Sequence, residues 1–302
     1  MTDGDYVNII AGPCSVNENS IDEIEEILSI EVNGRRVVNG TRIVGLKSRT
    51  FYNSDGDGMG MDFEVFNHNL RLLMEGRSFD ELEDLPSVTM AKKIQDKFNC
   101  IVATEVVNPY IQMPLFSRQL KGPVLLWNST VNQLGWSILH MSKYCEKNKN
   151  WLLGFKNPKN LGISVKDSEE NNCSAPMERS WIGLTTYSQL PNERKILIHR
   201  GIDSEVKSLF RSDPVHKTAM RTKMNVNGIK LFFDPSHSFG PQLRDEIVDG
   251  TVEAMKIKDL NGDFLYDGIL VECGTSSTDT KQHITVKELK QLAEKISEFR
   301  EF

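Results

Sequence analysis

Eight short apolar runs rich in Val, Ile, Leu and Phe recur along the chain, each closing on a polar or glycine-containing cluster. They are Val7 to Ala11, Arg42 to Leu46, Cys100 to Thr104, Val124 to Trp127, Trp151 to Phe155, Lys195 to Ile198, Ile229 to Phe233 and Gly268 to Val271. Runs of this length without polar alternation suit strands covered on both faces, the pattern of a parallel sheet. Between them the apolar period becomes helical. Phe63, Phe66, Leu70 and Leu73 share one face, and Leu243, Ile247 and Met255 another. Val286, Leu289, Ala293 and Ile296 form a third, behind a Thr285-to-Glu288 capping box. Strand and helix signals alternate with no composition break and no Pro/Gly/Ser linker. The expected fold is therefore α/β, a single (β/α)8 TIM barrel over residues 1–302 with no appended regulatory domain. A doubly wound open sheet is the alternative, but the first turn, Ala11-Gly12-Pro13-Cys14-Ser15, lacks the G-x-G-x-x-G fingerprint.

Composition narrows the function classes. Among 302 residues, 42 Asp and Glu face 36 Lys and Arg, a net charge of −6. The acidic excess is spread along the chain, which argues against nucleic acid as a partner, since phosphate backbones need concentrated basic surface. No apolar run is long enough to span a membrane, and the Met1-Thr2-Asp3-Gly4-Asp5 start is acidic where a secretion signal is basic, so a cytoplasmic location is expected. Five widely spaced cysteines with no Cys-x-x-Cys pair fit neither a disulfide framework nor a structural zinc module. Four read as small buried hydrophobes. Cys14 differs, because it ends the first strand.

In a barrel the active site lies at the C-terminal ends of the strands. The residues after the eight runs are Gly12-Pro13-Cys14, Lys47-Ser48-Arg49-Thr50, Thr104-Glu105, Asn128, Lys156-Asn157, His199-Arg200-Gly201, Asp234-Pro235-Ser236-His237 and Glu272. Each type alone is ordinary; their joint placement on one rim is not. Lys47, Arg49, Lys156 and Arg200 make a cationic cluster suited to phosphorylated or carboxylated small molecules. Cys14, His237, Glu272 and, in the next loop, Asp279 offer one sulfur, one nitrogen and two carboxylates. That mixture suits a divalent Mn, Fe, Co or Zn ion and suits Mg or Ca poorly.

The strings Ile10-Ala11-Gly12-Pro13-Cys14-Ser15, Lys47-Ser48-Arg49-Thr50, Thr104-Glu105-Val106, Gly154-Phe155-Lys156-Asn157, His199-Arg200-Gly201-Ile202 and Asp234-Pro235-Ser236-His237 run in order along the chain. Together they resemble the type I 3-deoxy-D-arabino-heptulosonate 7-phosphate (DAHP) synthases, which share a superfamily with the 3-deoxy-D-manno-octulosonate 8-phosphate synthases. The resemblance implies a transferase that condenses phosphoenolpyruvate with erythrose 4-phosphate and releases phosphate, the first step of the shikimate route to aromatic amino acids. It implies metal ligands at Cys14, His237, Glu272 and Asp279, and Lys47 at the reaction centre. Arg49 and Thr50 are then expected at the aldose phosphate, and Glu105, Lys156 and Arg200 near phosphoenolpyruvate; Asn128, the polar residue ending the fourth run, is a further substrate-binding candidate from its position. Family members assemble as dimers or tetramers, so a homo-oligomer is expected.

Three departures stand out. Ser48 replaces the proline of the family's Lys-Pro-Arg-Thr motif. Asn128-Ser129-Thr130 stands where the family has a Gly-Ala-Arg string whose arginine grips phosphate. The stretch after Glu272, Cys273-Gly274-Thr275-Ser276-Ser277-Thr278, replaces a histidine-proline segment, leaving Asp279 to rest on a local Asp-x-x-Gln pattern with Gln282. These changes keep open a related synthase using another aldose, such as arabinose 5-phosphate, and a catalytically silent barrel used as a binding scaffold. A metal-dependent hydrolase would carry a His-x-His pair, and the sequence has none. The loops Asn53 to Asp62 and Ser164 to Ala175 read as solvent loops or as lids over the site.

Overall fold

Eight parallel strands close on themselves. In the computed structural model, which describes residues 6–47, 59–205, 208–275 and 281–302, they are β1 (Asn8–Gly12), β2 (Val38–Arg42), β3 (Ile101–Val106), β4 (Val124–Asn128), β5 (Trp151–Lys156), β6 (Lys195–His199), β7 (Lys230–Phe233) and β8 (Gly268–Glu272). Each pairs with its sequence neighbours, and β8 pairs with β1 to complete the barrel. Helices fill every crossover: α1 (Ser20–Leu28), α2 (Phe63–Met74) and α3 (Pro86–Phe98), α4 (Pro109–Gln119), α5 (Gly135–Lys147), α6 (Val165–Glu169) and α7 (Pro176–Thr185), α8 (His216–Met224), α9 (Pro235–Phe239) and α10 (Ile247–Lys256), and α11 (Val286–Ser297). This is the (β/α)8 barrel that the alternating pattern predicts. Among the described residues no helix is long and apolar enough to cross a membrane.

One strand is displaced from its expected place. The run Arg42 to Leu46 is not the second strand: β2 is the polar segment before it, and Ile43–Leu46 lies buried but irregular beyond the strand end. Each polar residue has a local reason to be there. Asn39 Oδ1 accepts the Ile9 N–H of β1 at 2.9 Å. A Cβ on Gly40 would lie 2.6 Å from the Ile101 carbonyl of β3. Arg42 points into the barrel, where it meets Glu272. Five of the other strands run one residue further than their apolar runs, taking in Gly12, Asn128, Lys156, His199 and Glu272, while β3 runs two further, to Val106, and β7 ends with its run at Phe233.

Two shells of packing follow from the alternation of side chains across each strand. Val7, Ile9, Val102, Leu126, Leu153, Leu197, Leu231 and Ile269 belong to the large outer core under the helices. Ile10, Ala103, Leu125, Trp127, Ile196, Ile198, Phe232 and Leu270, with Val44, fill the barrel's interior. The helices join the outer shell much as their periodicity predicts. In α11, Leu289, Ala293 and Ile296 are buried, and Thr285 and Glu288 exchange both capping bonds. In α2 the predicted face is only half used, since Phe66 and Leu73 pack on the core while Leu70 is exposed.

The segment Ser164 to Ala175, expected as loop or lid, contains α6. It is fastened to α8 by Arg221, which donates to the Ser168 carbonyl and hydroxyl and to Asn172. Residues 53–58 of the other candidate lid lie outside the described residues.

Candidate active site

The period-two rule sorts the strand-end residues by direction. Counting in steps of two from the interior positions, Ile10 leads to Cys14, Ala103 to Glu105, Leu125 and Trp127 to Ser129, Ile196 and Ile198 to Arg200, Phe232 to Asp234, and Leu270 to Glu272. All of these are buried at the C-terminal mouth. Asn128 and His199 fall on the opposite parity and face the outer shell.

The floor of the mouth is Trp127. Its indole fits because the facing residue on β5 is Gly154: a Cβ there would lie 2.8 Å from Ile198 Cδ1 and 3.0 Å from Trp127 Cβ. Two cations stand over the ring, Arg42 at 6.0 Å and Lys156 at 5.8 Å from its centroid. Lys47 and Arg200 complete a buried set of four, with Glu105 among them. Burial acts to lower Lys47's proton affinity, but the charges of Cys14, Glu105 and Glu272 outweigh it and hold the ammonium above the ordinary lysine range. The sequence pattern did not single out Arg42; its place was legible only once β2 was known to end there.

The donor atoms gather beside the cations. Cys14, Glu272 and His283 bring ligand-type atoms within 4.8 Å of one another. His237 Nε2 lies 3.7 Å from Glu272 Oε1, and its Nδ1 is 2.9 Å from Asp234 Oδ1. A carboxylate behind a histidine in this way fixes the ring and leaves the far nitrogen for a cation. Burial pulls His237 down to about 4, so the imidazole is neutral near pH 7 despite Asp234. Burial would raise Asp234, but the His237 ring and Lys156, 2.9 Å away, hold it well below the usual carboxylate range. Glu272 is likewise ionised: burial opposes it, while His237, Arg42, Lys47 and His283 overturn that cost. Arg42 Nη2 donates to its Oε1 at 3.0 Å and Gln282 Nε2 to its Oε2 at 2.6 Å. A neutral imidazole, an ionised carboxylate and a thiol fit a divalent transition metal.

Two asparagines set the backbone of the cationic wall. Asn128 Oδ1 accepts the Lys156 N–H at 3.0 Å while its amide donates to the carbonyls of Ser129 and Asn132. One strand on, Asn157 Oδ1 accepts the Arg200 N–H at 2.8 Å and its amide donates to the Gly201 carbonyl at 2.8 Å. Gly201 itself has φ +81°, and a Cβ would meet the Ser212 carbonyl at 2.2 Å, so only glycine serves in the turn that releases Arg200. The loops after β6 and β7 wall a cavity of about 440 Å³, with Asp203, Phe210, Arg211 and Phe239 on its lining.

Of the residues expected at the site, the fold brings together Cys14, Lys47, Glu105, Lys156, Arg200, His237 and Glu272. Asn128 is present with its amide turned to backbone. Arg49, Thr50 and Asp279 lie outside the described residues. Arg42 and His283 are additions made by the structure, and Asp234 and Gln282, named in the sequence only within strings, gain side-chain partners here. No family model matches the chain, and no curated protein matches it.

Proposed function

We propose that the chain is a metal-dependent synthase condensing phosphoenolpyruvate with an aldose phosphate, erythrose 4-phosphate being the first candidate. The observation that carries this reading is the convergence of Arg42, Lys47, Lys156 and Arg200, all buried, beside Cys14 and Glu272, whose ligand-type atoms lie close together, and His237, 3.7 Å from Glu272, at the C-terminal mouth of a barrel. Such a mouth is where barrels of this architecture place active sites. Bringing two anionic substrates together is unfavourable in water, and preorganised cations offset it. The motif resemblance supplies the substrates.

Arg42 and Lys156, flanking the Trp127 floor, suit the carboxylate of phosphoenolpyruvate, and Arg200 its phosphate. Cys14, His237 and Glu272 would hold a divalent cation, which would supply Lewis acidity to the aldehyde. C3 of phosphoenolpyruvate forms the new bond to the aldehyde carbon, and Lys47 delivers the proton that the resulting alkoxide takes up. Water adds to C2, one of its protons passing to Glu105; the bond between C2 and the phosphate ester oxygen then breaks, the remaining hydroxyl proton leaving with the phosphate, to give the ketone and inorganic phosphate. An acidic chain with a buried basic mouth is consistent with small anions as partners and not with nucleic acid.

Incubating Mn2+- or Zn2+-loaded protein with phosphoenolpyruvate and a panel of aldose phosphates tests the reading. The expected result is loss of the enol absorbance matched one for one by inorganic phosphate, fastest with erythrose 4-phosphate. Faster turnover with arabinose 5-phosphate would reassign the acceptor. No turnover with any member of the panel, in protein that still binds metal, overturns the synthase and leaves a binding scaffold.

A further inference from the structure

Neither the strand-end pattern nor the family motifs single out His283, yet the fold sets it against the Cys14 turn. The chain leaves β8 at Glu272 and returns beside it: Ile284 N donates to the Glu272 carbonyl at 3.1 Å, and Gly274 N to the Ile284 carbonyl at 2.9 Å. Gln282 fastens the returning strand at two points. Its Nε2 donates to Glu272 Oε2 at 2.6 Å, and its Oε1 accepts from Arg211 Nη1 at 2.6 Å. The next residue, His283, accepts the Cys14 backbone N–H on Nε2 at 3.0 Å.

We propose that His283 is a ligand of the divalent cation held by Cys14 and Glu272, so that with His237 the described residues form a Cys-His-His-Glu donor set. The inference rests on the metal of the proposed function but not on its substrates. Three points carry it. Ligand-type atoms of Cys14, Glu272 and His283 lie within 4.8 Å of one another. Metal–ligand bonds of about 2.0–2.3 Å place tetrahedral ligands roughly 3.3–3.8 Å apart, so side-chain rotations of about 1 Å close the set. Second, a backbone N–H can only donate. The Nε2 that receives it therefore carries its lone pair, and the ring is the neutral tautomer that ligates through Nε2. The Cys14 N–H occupies that lone pair in this structure, so ligation exchanges the hydrogen bond for the metal. Third, Gln282 and the Ile284 backbone fix the ring's place on the same strand end that holds Glu272.

The donor set has a consequence for metal choice. The resemblance implies one sulfur, one imidazole and two carboxylates. A second imidazole makes the site softer and favours Zn2+ and Co2+ over Mn2+.

The test is a Co2+ titration of the chelator-stripped full chain, followed by visible absorption, for the wild type, Cys14→Ala, His283→Ala and His283→Gln. The wild type is expected to bind one Co2+ with a thiolate-to-cobalt charge-transfer band. Cys14→Ala should lose that band. Both His283 variants should keep it, bind Co2+ at least ten-fold more weakly, show altered d–d bands and lose the preference for Zn2+ over Mn2+ in competition. Glutamine retains an acceptor for the Cys14 N–H, so His283→Gln separates ligation from local folding; circular dichroism of the stripped proteins checks the latter. Wild-type affinity and unchanged d–d bands in His283→Gln overturn the proposal, and so does a wild type that binds no Co2+. A wild type with the expected Co2+ spectrum but no condensing activity would refute the synthase alone.

Discussion

Asn128 and Asn157 hold Lys156 and Arg200 in place without touching their charges. Each amide takes the backbone N–H of the cation's own residue and returns its NH2 to nearby carbonyls. Asn157→Ala leaves a buried Arg200 N–H and Gly201 carbonyl unpaired, at about 1–3 kcal/mol for each. Urea denaturation should therefore find it about 2–6 kcal/mol less stable, and Asn157→Asp, which keeps the acceptor, less affected. Equal loss in both variants would count against the N–H being the important partner. Asn128 stands last in its strand, which is why the sequence places it among the substrate ligands; the alternation from Leu125 and Trp127 already turns it to the other face. His283 was not legible at all, because its neighbour Cys14 lies 269 positions away and only the return past β8 brings them together.

At the scale of elements, most of the barrel was readable because doubly covered strands need continuous apolar residues. The second strand was hidden for a physical reason: its side chains meet a neighbouring strand's carbonyl, a backbone N–H and an ion pair, where Gly40, Asn39 and Arg42 serve better than Val or Ile. The segment after it is secured by Asp62. That carboxylate accepts the Ser87 N–H at 2.8 Å and the Ser87 hydroxyl at the start of α3, while Asp62 N donates to the Gly45 carbonyl. Gly45 is required, since a Cβ would lie 2.0 Å from Asp62 Oδ2. Burial raises Asp62 to about 6, although the Ser87 bonds oppose the shift. A raised carboxylate binds its proton more tightly in the folded than in the unfolded chain. Its contribution is thus present below the unfolded value near 3.9 and is lost as pH rises through 6. Asp62→Asn should gain on the wild type by about 3 kcal/mol between pH 3.5 and 7, read from denaturation midpoints at each pH. A gap that does not change with pH would place the carboxylate in a solvated setting.

Across the whole molecule, the barrel brings an acidic chain's cations inward, so net charge alone would misdescribe what the mouth offers to a ligand. Closure does more than shape it. Arg42 on β2 and Glu272 on β8 stand on either side of β1 and meet at 3.0 Å. Under the proposed function one side chain serves an anionic substrate and the other a metal, so neither ligand can engage its partner without altering what the other finds. An enol phosphate that draws Arg42 away leaves Glu272 a freer anion. Linkage then requires reciprocity: phosphoenolpyruvate should tighten Co2+ binding, by about five-fold or more, and Co2+ should tighten phosphoenolpyruvate binding by the same factor. Titrating each in the presence of the other measures both numbers, and a factor of one would sever the connection. The ion pair that locks the barrel's seam would then also couple the filling of the site's two halves, either ligand preparing the ground for the other.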